Sequence, residues 1–287
     1  ACRLLGRCSL YQSGGAYGFR DQLQDAVNML LLDPSLARRQ ILDCCRHQYV
    51  EGDVMHWWHP HPEGDRGIRS RCSDDLLWLP WALCEYVDAT GDLTLCEEEI
   101  NYVNSLPLAD DEKDRYERPE ISEANASVLY HARAALDRCM DRGFGPHDLP
   151  FMGSGDWNDG LDAAGGESVW LAWFLAHCAG RFASLLEKLC KPNEQRYRDC
   201  ADRAAQAAAR AWNGRWYRRG YWPDGSPLGG DERIDLLPLA WAVLYGGEDL
   251  NMEVSYITGW KPLGREFHVT KADKSILYEL DRKSTRL

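Results

Sequence analysis

The residues Met152-Gly153-Ser154-Gly155-Asp156-Trp157-Asn158-Asp159-Gly160-Leu161-Asp162 carry the densest chemistry in the chain. Asp156 and Asp159 stand three apart around a tryptophan, among residues that favour tight turns. A carboxylic acid can protonate a glycosidic oxygen, an indole face can hold a sugar ring, and glycines let the backbone bend around both. The same residues also suit an Asx-rich surface turn, in which Asp and Asn bond their own backbone. A calcium loop fails, because its fifth and sixth positions would be Gly160 and Leu161, where a ligand and then a glycine are required. The two carboxylates lie too close in sequence to be assumed to flank a bond from opposite sides. One acid working with a nucleophile brought by a cosubstrate fits better than a hydrolytic pair.

Two further clusters accompany this one. In residues 11–25 three glycines and several aromatics lead into a helix start carrying Arg20, Asp21 and Asp25. Asp21 and Asp25 share a helix face, and an Arg–Asp set there can grip sugar hydroxyls; it can equally serve the helix dipole. The run is no dinucleotide fingerprint, since no strand precedes it and its glycine spacing differs. In residues 50–62, His56, His59 and His61 could ligate zinc with Glu51 and Asp53. The Trp57-Trp58 pair and two prolines favour a rigid aromatic wall instead, with His56 as a hydrogen-bond support, and no metal is expected. Arg66, Arg69 and Arg71 followed by Asp74 and Asp75 either hold an anion or pair among themselves, the commoner outcome.

The elements that must position these residues read as amphipathic helices. Apolar periodicity covers residues 22–32, and Asp33-Pro34 is an N-cap with proline at the first helical position, opening a helix to residue 47. Ser73 caps a helix over 74–89 that Gly91 closes, with Pro80 predicting a kink or break. Further helices are predicted over 122–142, 167–189, 193–212 and 234–244, with strand-like residues at 216–222. Residues 50–71, 145–166 and 216–231 read as loops, and 110–119 as a solvated linker. The pattern predicts an all-α domain, a bundle or a toroid of helical hairpins.

Composition narrows the function classes. The chain has 287 residues, 45% hydrophobic, with a formal net charge of −12 that argues against a nucleic-acid binder. Twelve tryptophans and thirteen tyrosines suit sugar-binding faces and cores alike. Eleven cysteines without paired spacing predict reduced, mostly buried thiols and a cytoplasmic protein. The longest apolar stretch, 168–186, is interrupted by His177 and Arg181, so no membrane segment is expected. Helical periodicity fades after Gly247. Residues 1–247 are expected to form one domain and 248–287 a divergent tail, whose last seven residues look like a sequence artefact.

Together the motifs resemble glycoside hydrolase family 94, inverting phosphorylases of β-linked gluco-oligosaccharides. Within it they are most similar to the phosphorylase-like C-terminal region of cyclic β-1,2-glucan synthases. The matching segments are YQSGGAYGFRDQLQD (11–25), YVEGDVMHWWHP (49–60), RSRCSDDLLWLPWALCEYVDATGD (69–92), MGSGDWNDGLD (152–162), WNGRWYRRGYWPDGSPLG (212–229) and ERIDLLPLAWAVLYG (232–246). The resemblance implies an (α/α)6 toroid, with Asp159 as general acid and inorganic phosphate as cosubstrate. Phosphate would attack from the opposite face and give α-glucose 1-phosphate; no cofactor is implied. It places Arg20, Asp21 and Trp157 around the transferred glucose, with Asp25 a weaker contact; the residues themselves add Trp57 and Trp58 as the aromatic wall and Asp156, Asn158 and His56 in support. Asp159 must hold a proton near neutral pH, so burial is expected to raise its pKa.

The departures matter. The glutamine that the family carries before the final Trp helix is Leu239 here, which puts one sugar contact in question. A later phosphate-binding segment, an N-terminal β-sandwich and a C-terminal β-domain have no counterpart. An incomplete toroid, weak or inactive by itself, is therefore expected. Two rivals stand beside this reading. An inverting hydrolase would need a base such as Glu51, Asp53 or Asp75, and a carbohydrate-binding module would carry out no chemistry.

Overall fold

The computed structural model describes residues 5, 15–158, 161, 165–230 and 234–246, and the backbone of 250–254 and 265–269. In chain order the elements are Tyr17–Gly18 (β1), Phe19–Asn28 (α1), Pro34–Cys45 (α2), Met55–His59 (β2), Arg66–Ser70 (β3) and Asp75–Thr90 (α3). A 3-10 turn at Thr94–Glu97 is followed by Glu99–Asn104 (β4), Asp114–Glu117 (β5), Glu120–Ser127 (β6) and Val128–Asp141 (α4). Then come Glu167–Ser168 (β7), Val169–Lys188 (α5), Glu194–Arg210 (α6), Gly220–Tyr221 (β8) and Leu236–Trp241 (α7). A π-helical turn at Ala242–Gly246 and the antiparallel pair Leu250–Val254 (β9) and Arg265–Val269 (β10) complete them.

The helices form the core, and their surfaces explain their order. Helix α5 is apolar nearly all round, so it sits centrally against α6, α3 and α7. It is long and apolar enough to cross a membrane by composition, but most of it is buried inside the fold. Helix α6 has one narrow stripe, Tyr197, Cys200, Ala204, Ala207 and Ala208, and lays it on α5. Gly180 of α5 faces Ala201 of α6, where an added Cβ would stand 3.7 Å away, so the two helices approach closely. Helix α3 runs through Pro80 and ends at Gly91 in the left-handed region (φ 71°), so the expected stop is right and, of the kink or break expected at Pro80, the break is not found. The cap at Asp33 is as expected, its side chain accepting from the Leu36 N–H at 3.2 Å.

An all-α fold is not what the chain adopts. Four strands form an antiparallel sheet in the order β1-β2-β3-β5, and β4 pairs with β6 and β7 with β8. Residues read as loop (50–71) supply the β2–β3 hairpin, and the presumed linker supplies β5, which pairs with β3 through Ile68–Tyr116 and Arg69–Arg115. The helix expected from Ser122 starts later: Ser122 lies in β6, and Ser127 is the N-cap, accepting from the Tyr130 N–H at 3.4 Å. Both serines can cap, but apolar periodicity begins only at Val128. The nine cysteines among the described residues are free thiols, all buried except Cys190.

Candidate active site

The loop before Asp159 is held from both sides. Its first half pairs with the segment that opens α3: Cys72 bridges Gly153, Ser154 N donates to Arg71 O at 3.2 Å, and Ser73 donates to Gly155 O through N (2.9 Å) and Oγ (3.1 Å). Ser73 therefore ties loop to helix, and Asp74 rather than Ser73 takes the N-cap position. Gly153 has φ +68°, and a Cβ there would lie 2.0 Å from Arg71 O, so only glycine permits this approach.

Asp156 anchors the second half. It is 0% exposed, and its carboxylate accepts from Arg219 Nη2 (2.5 Å to each oxygen), Trp170 Nε1 (2.7 Å), Ser168 Oγ (3.1 Å) and the Asn158 N–H (3.1 Å). Arg219 also donates to Ser168 Oγ and meets Asp235 at 3.2 Å. The carboxylate's hydrogen-bonding capacity is thus taken up by structure, and Asp156 is a fixed anchor rather than a free acid. Asn158 is exposed and helps turn the backbone back onto Asp156. Asp159 and Asp162 lie outside the described residues, as does the expectation of a raised pKa for Asp159.

The α1 start is brought to the same place. Arg20, 6% exposed, donates from Nη1 to both Asp74 oxygens and to the Asp156 backbone carbonyl, each at 3.1 Å. Trp78 Nε1 (2.9 Å) and Cys72 Sγ (3.2 Å) complete the Asp74 shell. Burial pushes Asp74 above the usual carboxylate range against the pull of Arg20, with Asp75 and Asp156 adding repulsion. Asp75 is also buried, yet His56, whose Nδ1 lies 2.7 Å away, outweighs burial together with Arg20 and Arg142 and holds it below that range. Asp21 lies over Gly18: a Cβ on that glycine would be 2.1 Å from Asp21 Oδ2. Asp21 and Asp25 are half-buried on one side of α1.

Trp157 is half-buried at the edge of an aromatic cluster, its ring centroid 5.4 Å from Trp78, 5.6 Å from Trp170 and 6.0 Å from Trp241. The proposed wall of Trp57 and Trp58 divides. Trp58 is 1% exposed and stacks on His47 at 3.7 Å, so its faces are used by the core and it cannot receive a sugar. Trp57, one residue earlier, is half-buried on the opposite face of the strand, beside His59 and Tyr116.

The histidines do not gather into the metal site considered for them. His56 serves Asp75, and His61 accepts from the Glu63 N–H in a turn. A different trio, His56, Cys72 and Asp75, offers ligand atoms within 4.8 Å of one another. Arg20 Nη1 stands 3.9 Å from that thiol and puts positive charge where a cation would bind. Among the bases a hydrolase would need, Asp53 is a structural hub under Arg69 (2.7 Å), Arg138 (2.8 Å) and Arg142 (3.4 Å), and Glu51 pairs with Arg69 at 3.0 Å. Sequence reasoning missed Arg219, Ser168 and Trp170. The signal available for Arg219 was a charged residue set among aromatics in WYRRGYW.

The sequence profile of the Glycosyl hydrolase 94 superfamily, catalytic domain, matches residues 1–254, and that of the FIST N domain matches 238–283. The chain is 38% identical over 260 residues to cyclic β-(1,2)-glucan synthase NdvB of Rhizobium meliloti (strain 1021), covering 86% of this chain and 9% of that protein. It is 29% identical to solabiose phosphorylase of Paenibacillus borealis, over 80% of this chain and 28% of the relative. It is 28% identical to N,N'-diacetylchitobiose phosphorylase of Vibrio proteolyticus, over 83% and 32%. The chain thus spans about a third or less of the length of these relatives. The crystal structure of unsaturated glucuronyl hydrolase from Bacillus sp. GL1 aligns over 74% of this chain and 53% of its own, with a TM-score of 0.48 at 14% identity.

Proposed function

The chain belongs to the glycosyl hydrolase 94 superfamily, and on that premise we propose that it carries the acid side of a site for inverting phosphorolysis of a β-linked gluco-oligosaccharide. In this reading Asp159 protonates the leaving glycosidic oxygen while inorganic phosphate attacks the anomeric carbon from the opposite face, releasing α-glucose 1-phosphate. Phosphate arrives as an anionic nucleophile, so no protein base is needed. Trp157, Asp21 and Arg20 surround the transferred glucose, with Asp25 behind them and Asp156, Asn158 and His56 in support. The domain would be part of an (α/α)6 toroid over residues 1–247, acting with further segments such as its longer relatives have. The free thiols suit a reducing, cytoplasmic setting.

The observation that carries the reading is the double anchoring of the loop that leads into Asp159. Asp156 is locked by Arg219, Ser168 and Trp170, and its own carbonyl is held by Arg20, so the helix start and the acid loop meet through one residue. Preorganisation of the residues that lead into a proton donor supports this reading. Hydrolysis is the weaker alternative because Asp53 is enclosed by guanidinium groups and Glu51 pairs with Arg69, while Asp75 meets His56 through one oxygen.

The test uses a protein carrying this chain together with the segments its relatives have beyond it. Incubated with β-linked oligosaccharide and phosphate, it should release glucose 1-phosphate, and Asp159→Asn should lower that rate by about 10²- to 10⁴-fold. Free glucose in the absence of phosphate would favour hydrolysis. Unchanged turnover in the Asp159→Asn variant would remove the acid assignment.

A further inference from the structure

We propose that the outer face of the four-stranded sheet is a saccharide-binding shelf that extends the site away from α1 and selects for longer β-linked gluco-oligosaccharides. The proposal rests on the function given above.

The strand register builds the shelf. Gly18 pairs with Trp57, Trp57 with Ile68, and Ile68 with Tyr116, so one row crosses all four strands. Directly opposed residues point to the same face. The neighbouring row, Tyr17, Trp58, Gly67 and Glu117, faces inward. There Trp58 stacks on His47, and Glu117 accepts from Tyr49 OH at 2.7 Å. The first row therefore faces outward, with Trp57 and Ile68 half-buried and Tyr116 54% exposed. The Trp57 and Tyr116 rings lie 5.8 Å apart at 41°, an open aromatic pair rather than a closed stack.

The row is continuous with the proposed glucose contact. Its first member has no side chain, and the Asp21 carboxylate occupies the space above it. Strands are spaced by about 4.8 Å, so Tyr116 stands about 14 Å from Gly18. One strand spacing is close to the length of one glucose unit, so a chain entering at Asp21 would meet Trp57 first, cross Ile68, and reach Tyr116 two units further on.

Polar groups flank the apolar row. His59 pairs with Arg66 on the same face, and Glu63 lies 3.9 Å from Arg66 and 3.4 Å from Arg118. These exposed ion pairs are weak and can give way to sugar hydroxyls at little cost. Flat apolar faces bordered by such donors and acceptors match the two kinds of surface on a pyranose. A purely structural role for the Trp57–Tyr116 pair would stabilise the sheet without regard to ligand length.

Length dependence therefore decides. Binding of β-1,2- and β-1,4-linked gluco-oligosaccharides of two to five units to the 287-residue chain is measured by titration calorimetry, for the wild type, Tyr116→Ala and Tyr116→Phe. Wild-type affinity should climb with added units. Tyr116→Ala should lose about tenfold for the tetrasaccharide, equivalent to roughly 1.4 kcal/mol, and less than twofold for the disaccharide. Tyr116→Phe should keep the length dependence, and thermal unfolding of all three proteins should coincide. Equal losses at every length, or none, would overturn the shelf. Wild-type binding independent of length would overturn it while leaving the function standing. Absence of binding at any length would overturn the shelf as well, and the phosphate-dependent assay of the longer protein would then decide the function separately.

Discussion

Replacing Arg219 by methionine tests the anchor beneath the acid loop most directly. The substitution keeps length and apolar packing but leaves the Asp156 carboxylate, 0% exposed, without the cation that contacts it among the described residues. Trp170, Ser168 and the Asn158 N–H remain as donors. Breaking a buried pair by removing one partner costs about 3–5 kcal/mol, mostly the penalty of an uncompensated charge. At roughly 2–4 °C per kcal/mol for a chain approaching this size, melting should fall by about 6–20 °C. Asp156→Asn should cost less, because Arg219 keeps Asp235 at 3.2 Å, and that carboxylate is partly solvated. The double variant should recover part of the loss, since both charges leave together. Urea unfolding followed by circular dichroism supplies the free energies, provided the slope is unchanged. A cost within about 1 kcal/mol for Arg219→Met, or a larger one for Asp156→Asn, would refute the reasoning.

Two further outcomes follow from the same physics. Gly153→Ala places a Cβ against Arg71 O at a positive φ, so it should cost about 1–3 kcal/mol and loosen the acid loop, seen as a lower melting temperature together with weaker saccharide binding. Asp53 is opposed by burial but held below the usual carboxylate range by Arg138, Arg142 and Arg69, which outweigh it. Its folded pKa is depressed, so its contribution is present above the unfolded value of about 3.9 and is lost as pH falls toward the folded one. Asp53→Asn should therefore flatten the fall of stability below about pH 4, and an equally steep acid limb in variant and wild type would count against this role.

The helices were legible where cap and periodicity agreed. Asp33-Pro34, the apolar run of α5 and the alanine stripe of α6 each gave local signals that tertiary contacts only reinforced. The strands were not. Glu120–Ser127 mixes polar and small or apolar residues on both faces, so no alternation marks it, and Asp114–Glu117 looks like a charged linker until its pairing with β3 is seen. Ser73 reads as a cap because serine suits one, but its hydroxyl is spent on Gly155 O, a partner 82 residues away. The acid motif itself was visible because its residues are contiguous. What holds it was hidden, since Arg219 and Ser168 reach Asp156 only through folding, and the inward face of Trp58 depends on a strand register that the sequence does not display.

The Asp156 anchor also constrains the order of folding. Its carboxylate meets Arg219 from 63 residues downstream, and its carbonyl meets Arg20 from 136 residues upstream. Closing loops of that length precedes any reward from the contacts within them, which makes such contacts late events. During synthesis the acid loop emerges before its guanidinium partner, so Asp156 must stay hydrated until α5 has formed and residues 215–221 have been made. A polypeptide released before Arg219 would keep the complete aspartate-rich motif and its ties to Ser73, Ser168 and Trp170, yet leave the Asp156 carboxylate without the guanidinium that meets it among the described residues. Possession of the motif and possession of the full anchor beneath it are therefore separated by one residue 63 positions downstream.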